Sequence, residues 1–172
     1  MGLPVEHSTT APPERPGPVR ARSPGAAAPR RPRGLGARLS DATPETPYAL
    51  LGGTAPVRAL AERFYDHMEA HEPALAAMHR QDAPGRISRE SRDRFALFLV
   101  GWLGGPQDYM ALHGHPRLRM RHGRVPVDIA ARDAWLRCMS AAMDQTPMLP
   151  EVRAYLDGRF AEVADFLRNR EG

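Results

Sequence analysis

Between positions 57 and 68 the apolar residues Val57, Leu60, Ala61, Phe64 and Met68 recur at intervals of three and four, with Tyr65 beside them. That period places them on one face of an α-helix. The stretch before it, TPYALLGG, predicts a short helix. Thr46 can cap it, Pro47 suits the first helical position, and Gly52-Gly53 permits a sharp turn. A third pattern opens at the capping residue Ser88 and sets Phe95, Phe98, Leu99 and Trp102 on a stripe, ended by Gly104-Gly105-Pro106. PQDYMALHG predicts a further short helix, and Pro116 predicts a loop for GHPRLRMRH, residues 114–122. Two more helices follow. Residues 127–145 turn Ile129, Trp135, Leu136, Met139 and Met143 inward; residues 150–170 do the same with Val152, Leu156, Phe160, Val163 and Leu167. No alternating β-branched run competes for a strand. The expected fold is all-α, with five or six helices.

Residues 1–45 lack this periodicity. They are rich in Pro, Ala, Gly, Ser and Arg, and such a segment buries too little surface to offset its ordering entropy. The reading is a disordered extension over 1–45 ahead of one folded domain over 46–172. All 24 cationic residues are arginine, and the net charge is +4. The extension holds seven of those arginines against four acids, so the folded part is nearly neutral. The high pI therefore gives no support for nucleic-acid binding. The extension's prolines break any amphipathic helix, and it has no aromatics for base stacking.

No run approaches the roughly 18 apolar residues of a membrane span, and the N-terminus lacks the apolar core of a secretory signal. The single cysteine, Cys138, allows no internal disulfide and fits a reducing compartment. The expected location is the cytoplasm, with no membrane and no nucleic-acid partner. P-loop, GxGxxG and HExxH patterns are absent.

The chemistry concentrates in GHPRLRMRH, where His115, His122 and three arginines follow closely on the apolar GWLGGP. His113-x-His115 with His122 lacks the spacing of a zinc site. A single imidazole at the edge of an apolar pocket, with cations at its rim, suits instead the proximal position of a haem. GWLGGP, GHPRLRMRH and the later RDAWLRCM together resemble the group II truncated haemoglobins. The resemblance runs from about residue 46 to 143, and more loosely to about 168.

That resemblance implies a truncated globin, a two-over-two helical sandwich, carrying haem b. It implies His122 as the iron ligand and Tyr65 and Trp135 as distal polar residues. A third distal position falls on His79, or on Met78 if the alignment shifts by one. Ser91 falls at the gate, Phe95 above the haem, and Arg94 and Arg121 beside the haem carboxylates. Phe98 and Leu99 are expected to line the cavity with Phe95. Where relatives commonly carry Pro and Phe after the ligand, Gly123, Arg124 and Val125 stand here, which implies looser proximal packing.

The function implied is reversible binding of oxygen and other diatomic ligands at a pentacoordinate iron. Hydrogen bonds to a charged group contribute about 1.5–3 kcal/mol each, so two would slow oxygen escape by roughly two to four powers of ten. Such retention disfavours delivery. The alternative function is a haem enzyme, a peroxidase or nitric oxide dioxygenase. The chain resembles no flavin domain, so its electrons would come from a separate reductase. The assembly expected is a monomer or homodimer.

Overall fold

The computed structural model describes residues 45–171. Eight helices and one hairpin follow in chain order among them. They are α1 (Pro47–Leu50), α2 (Thr54–His71), α3 (Pro73–Ala76), β1 (Gln81–Ala83), β2 (Arg86–Ile87), α4 (Arg89–Trp102), α5 (Asp108–His113), α6 (Leu118–His122), α7 (Ile129–Asp144) and α8 (Pro150–Leu167). The long helices pack as two pairs, α2 on α4 and α7 on α8, with α2 also lying along α7. This is the two-over-two sandwich. Among the described residues no helix is long and apolar enough to cross a membrane. The extension expected over residues 1–45 lies, but for Glu45, outside the described residues.

Helix starts follow from their capping residues. Thr46 Oγ1 accepts from Ala49 N–H at 3.2 Å, Ser88 Oγ from Ser91 N–H at 3.2 Å, and Asp128 Oδ1 from Ala131 N–H at 2.8 Å. At the other end of α4, Gly104 and Gly105 let α1 approach closely. A Cβ on Gly105 would stand 2.6 Å from the Tyr48 ring, and one on Gly104 would stand 2.8 Å from Thr46. Tyr48 N–H can therefore reach the carbonyl of Leu103 at 3.0 Å. That contact ties α1 to the end of the helix that roofs the cavity described below.

The expected α2 face is buried in full: Val57, Leu60, Ala61, Phe64, Tyr65 and Met68. On α4 the expectation needs correction. Its buried residues are Arg92, Ala96, Leu99 and Val100, whereas Phe95, Phe98 and Trp102 are only partly buried. The stripe splits into a face toward α2 and a face toward a cavity. Ile129, Trp135, Leu136, Val163 and Leu167 are half-buried as well, and Trp135, Val163 and Leu167 line that cavity.

Two further differences concern connections. The segment after α3 forms an antiparallel hairpin, pairing Gln81 with Ile87 and Ala83 with Arg86. Its strands are too short and polar to show a period. It is held by local bonds, with Ile87 N–H donating to Glu69 Oε1 at 2.7 Å and Arg89 N–H to Asp82 Oδ2 at 2.8 Å. Residues 118–122, expected as loop, form α6. Pro116 stops the helix from extending backward, and Arg117 enters it in the left-handed region at φ 44°.

Arg92 is a buried charge at the α2–α4 seam. Its guanidinium lies 2.9 Å from Glu62, 2.9 Å from Asp66 and 2.8 Å from Glu69, all on α2. Burial opposes its charge, and these three carboxylates more than offset that, raising its pKa. The same guanidinium stands 5.5 Å from the centre of the Tyr65 ring.

Candidate functional site

The half-buried apolar faces of α4, α7 and α8 do not meet. Between them and α6 lies a cavity of about 430 Å³. Phe64 and Tyr65 of α2, Phe95 and Phe98 of α4, Trp135 of α7 and Leu118 of α6 supply much of its lining. Its aromatic wall is continuous: the Phe64 ring lies 5.0 Å from Tyr65, 5.1 Å from Phe95 and 5.2 Å from Trp135. Leu99 takes no part. It is fully buried against α2, a correction to its expected place in the lining.

The structure brings every other expected site residue to this cavity: His122, Tyr65, Trp135, His79, Phe95, Arg94 and Arg121, and also Ser91 and Met78. His122 sits at the end of α6, where its Nδ1 lies 2.8 Å from the carbonyl of Leu118 one turn earlier. A carbonyl can only accept, so Nδ1 carries a proton, and in the neutral ring Nε2 keeps its lone pair. This is the tautomer that a metal-ligating histidine needs, held by a partner behind the ring.

His79 follows the same rule from the turn after α3. Its Nδ1 donates to Leu75 O at 3.0 Å, and its ring stands edge-on to Tyr65 with centres 5.7 Å apart. Burial lowers its pKa below 6.5, with the Leu75 bond opposing and His122 adding to the shift. Neutral His79 therefore presents an acceptor, not a donor, at Nε2. Met78 also borders the cavity but is 37% exposed. The Tyr65 hydroxyl and the Trp135 indole N–H belong to residues that line the cavity, and neither hydrogen-bonds to another described residue. Burial raises the Tyr65 pKa, so its proton stays on at any ordinary pH.

At the rim, Arg94 gives Nη2 to Glu90 at 2.8 Å, but its buried Nε meets no acceptor. Arg121 lines the cavity from α6.

The bacterial-like globin family matches residues 46–169 of the chain. The chain belongs to that family. Its truncated branch is shown by the relatives. The group 2 truncated hemoglobin YjbI of Bacillus subtilis is 34% identical over 124 residues, which span 72% of this chain and 89% of that protein. The cold-adapted truncated hemoglobin of Pseudoalteromonas haloplanktis TAC125 is 40% identical, with a TM-score of 0.67 over 73% of this chain and 99% of its own. The group II 2-on-2 hemoglobin of Agrobacterium tumefaciens is 37% identical, with a TM-score of 0.68 over 78% of this chain and 100% of its own.

For a truncated globin the implied cofactor is haem, and the residues fit one. Nε2 of His122 is free to bind a metal while Nδ1 is fixed, the lining is rich in aromatic rings, and the orphaned Nε of Arg94 suits a carboxylate. Sequence reasoning missed Arg92 and Asn169, which hold the walls without lining them. Arg92 had a signal, since Glu62, Asp66 and Glu69 share one face of α2. Asn169 had none.

Proposed function

We propose that residues 46–172 form a haem-binding globin that binds oxygen and other diatomic ligands reversibly at a pentacoordinate iron. One observation carries this reading. One cavity is bordered by His122 with its Nε2 lone pair free, by His79 in the same tautomer, and by two uncommitted polar groups, Tyr65 and Trp135. A haem bound there supplies a ferrous iron that takes up diatomic gases. Each remaining role belongs to the chain. His122 holds the iron, and the Leu118 carbonyl holds His122. Arg94 and Arg121 hold the haem carboxylates. Phe95, Phe98 and Leu118 keep water out. Trp135 can only donate a hydrogen bond, whereas Tyr65 can donate or accept.

The haem type proposed is haem b; the Cys-x-x-Cys-His signature of c-type attachment is absent, and the one cysteine, Cys138, is buried on α7. A cytoplasmic setting and a separate electron-donating reductase complete the proposal.

The test is direct. Purified full-length protein incubated with hemin is expected to develop a Soret band, and His122→Ala is expected to abolish stable uptake. A wild-type protein that stays colourless overturns the proposal. An unchanged ferrous spectrum in His122→Ala overturns the ligand assignment.

A further inference from the structure

α6 is five residues long, enters from a left-handed Arg117 and has no side-chain cap, so little in its own sequence holds it in place. The connection that follows, residues 123–128, is irregular. Yet this is the segment that must present His122 at a fixed angle. The element that holds it comes from the far end of the chain.

α8 ends at Leu167, and Arg168 leaves the helix in an extended conformation, with ψ at 135°. Asn169 then lies against the α6–α7 connection. Its Nδ2 donates to the carbonyl of His122 at 2.9 Å and to that of Val125 at 3.0 Å. Its Oδ1 accepts from Val127 N–H at 3.0 Å. Its backbone N–H donates to the carbonyl of Val127 at 3.0 Å. Both amide protons and the amide oxygen of one half-buried side chain are thus spent on one short loop.

The contact to His122 is the informative one. The His122 carbonyl also accepts from Val125 N–H at 3.0 Å, so two donors fix its peptide plane. The ring of the same residue is fixed at Nδ1 by Leu118. One bond sets the rotation of the imidazole and the other sets the backbone from which it hangs.

We propose that Asn169 is a positioning residue for His122, setting from outside the pocket the angle at which the imidazole meets the iron. This rests on the haem reading above. The carboxamide is needed as such. In Asn169→Asp the oxygen facing Val127 N–H is kept, but a carboxylate oxygen replaces the donor opposite the His122 and Val125 carbonyls. In Asn169→Ala all three bonds are lost. Asn169→Ser keeps one hydroxyl.

The experiment uses the full-length haem-loaded protein and two readouts. The first is the iron–imidazole stretching band of the ferrous, ligand-free protein by resonance Raman. The second is the rate at which haem passes to excess apomyoglobin. Asn169→Ala is expected to shift or broaden the band and to speed haem loss roughly ten- to a hundredfold. Asn169→Asp should be at least as severe, and Asn169→Ser intermediate. Faster haem loss with an unmoved band overturns the proposal, because it describes a purely structural contact. No change in either readout overturns it too.

Amide hydrogen exchange on the wild-type apoprotein needs neither variant nor haem. Val127 N–H is expected to be protected to the same degree as the amides of α8, and free exchange there overturns the proposal. A wild-type chain that takes up no hemin removes the haem reading instead, and leaves this exchange measurement standing.

Discussion

The α2–α4 wall of the cavity and the α6 wall are held by different forces. Tyr65 and Phe95 stand on long helices joined by a buried ion cluster, in which Arg92 meets Glu62, Asp66 and Glu69. Beside it Arg89 pairs with Glu62 and Asp93. His122 stands on a five-residue helix held by neutral hydrogen bonds from Leu118 and Asn169. From Gly114 to Val127 there are four arginines, two histidines and no acid. None of these arginines has an acidic partner among the described residues. The difference separates two tasks. The α2–α4 wall must keep the Tyr65 hydroxyl and the Phe95 ring at a fixed spacing across two helices, and charge pairs reach across helices. The proximal wall must fix the rotation of one ring, for which short directional bonds serve better.

The largest effect is expected from breaking the first wall. In Arg92→Met, three carboxylates facing one seam lose their shared cation. Removing one partner of a buried pair destabilises by about 3–5 kcal/mol, and since Asp66 and Glu62 keep solvent contact, about 2–3 kcal/mol is expected here. Urea unfolding of the wild-type and variant apoproteins measures it. The comparison adds a sharper requirement: Val127 amide exchange in the folded variant should be unchanged, because Asn169 does not depend on the α2–α4 seam. Loss of protection at both walls together would show that they are one unit.

These forces also explain what the sequence could and could not reveal. The apolar face of α2 was legible because every one of its residues is buried, Phe64 and Tyr65 included although they also border the cavity, and burial along one face imposes the helical period. The α4 stripe was legible only as apolar. The same periodicity serves Leu99, which packs on α2, and Phe95 and Phe98, which face the cavity. Hydrophobicity alone does not separate a residue that fills space from one that borders it. α6 was hidden because its arginines and Pro116 resemble a loop, and its helical turn depends on bonds made elsewhere. The hairpin at 81–87 has five strand residues and one buried side chain, Ile87, too few to set a period. Asn169 is a lone polar residue past the last apolar position of α8, and its partners lie more than forty residues away. The candidate site residues were legible by motif through the family resemblance, whereas the supports behind them carry no motif.

A smaller effect tests the distal wall from α7. Trp135 lines the cavity and hydrogen-bonds to none of the described residues, so its indole N–H is free to donate to a ligand. Trp135→Phe keeps a flat aromatic ring and removes only the donor. Oxygen dissociation from the ferrous protein should accelerate by about tenfold, the equivalent of one such bond. Stopped-flow displacement of oxygen measures the rate, and an unchanged rate would mean that the indole does not reach the ligand. Thermal stability should move little, in contrast to Arg92→Met.

The smallest effect concerns His79, whose ring stands edge-on to Tyr65. Its Nδ1 is committed to Leu75, and burial keeps its pKa below 6.5. Above pH 6.5 the ring is neutral, Nε2 is an acceptor, and His79 adds no donor to the pocket. As the pH falls through the lowered pKa, Nε2 gains a proton and becomes a second donor beside Trp135. Oxygen dissociation should therefore be flat from pH 8 down to 6.5 and slow severalfold only in more acid solution. Tyr65 cannot produce this profile, because burial moves its titration further into the alkaline range. His79→Phe fills the same space against Tyr65 without a titrating nitrogen, and its dissociation rate should stay flat throughout. An acid-side slowing that survives in His79→Phe would assign the titration to another group and remove His79 from ligand contact.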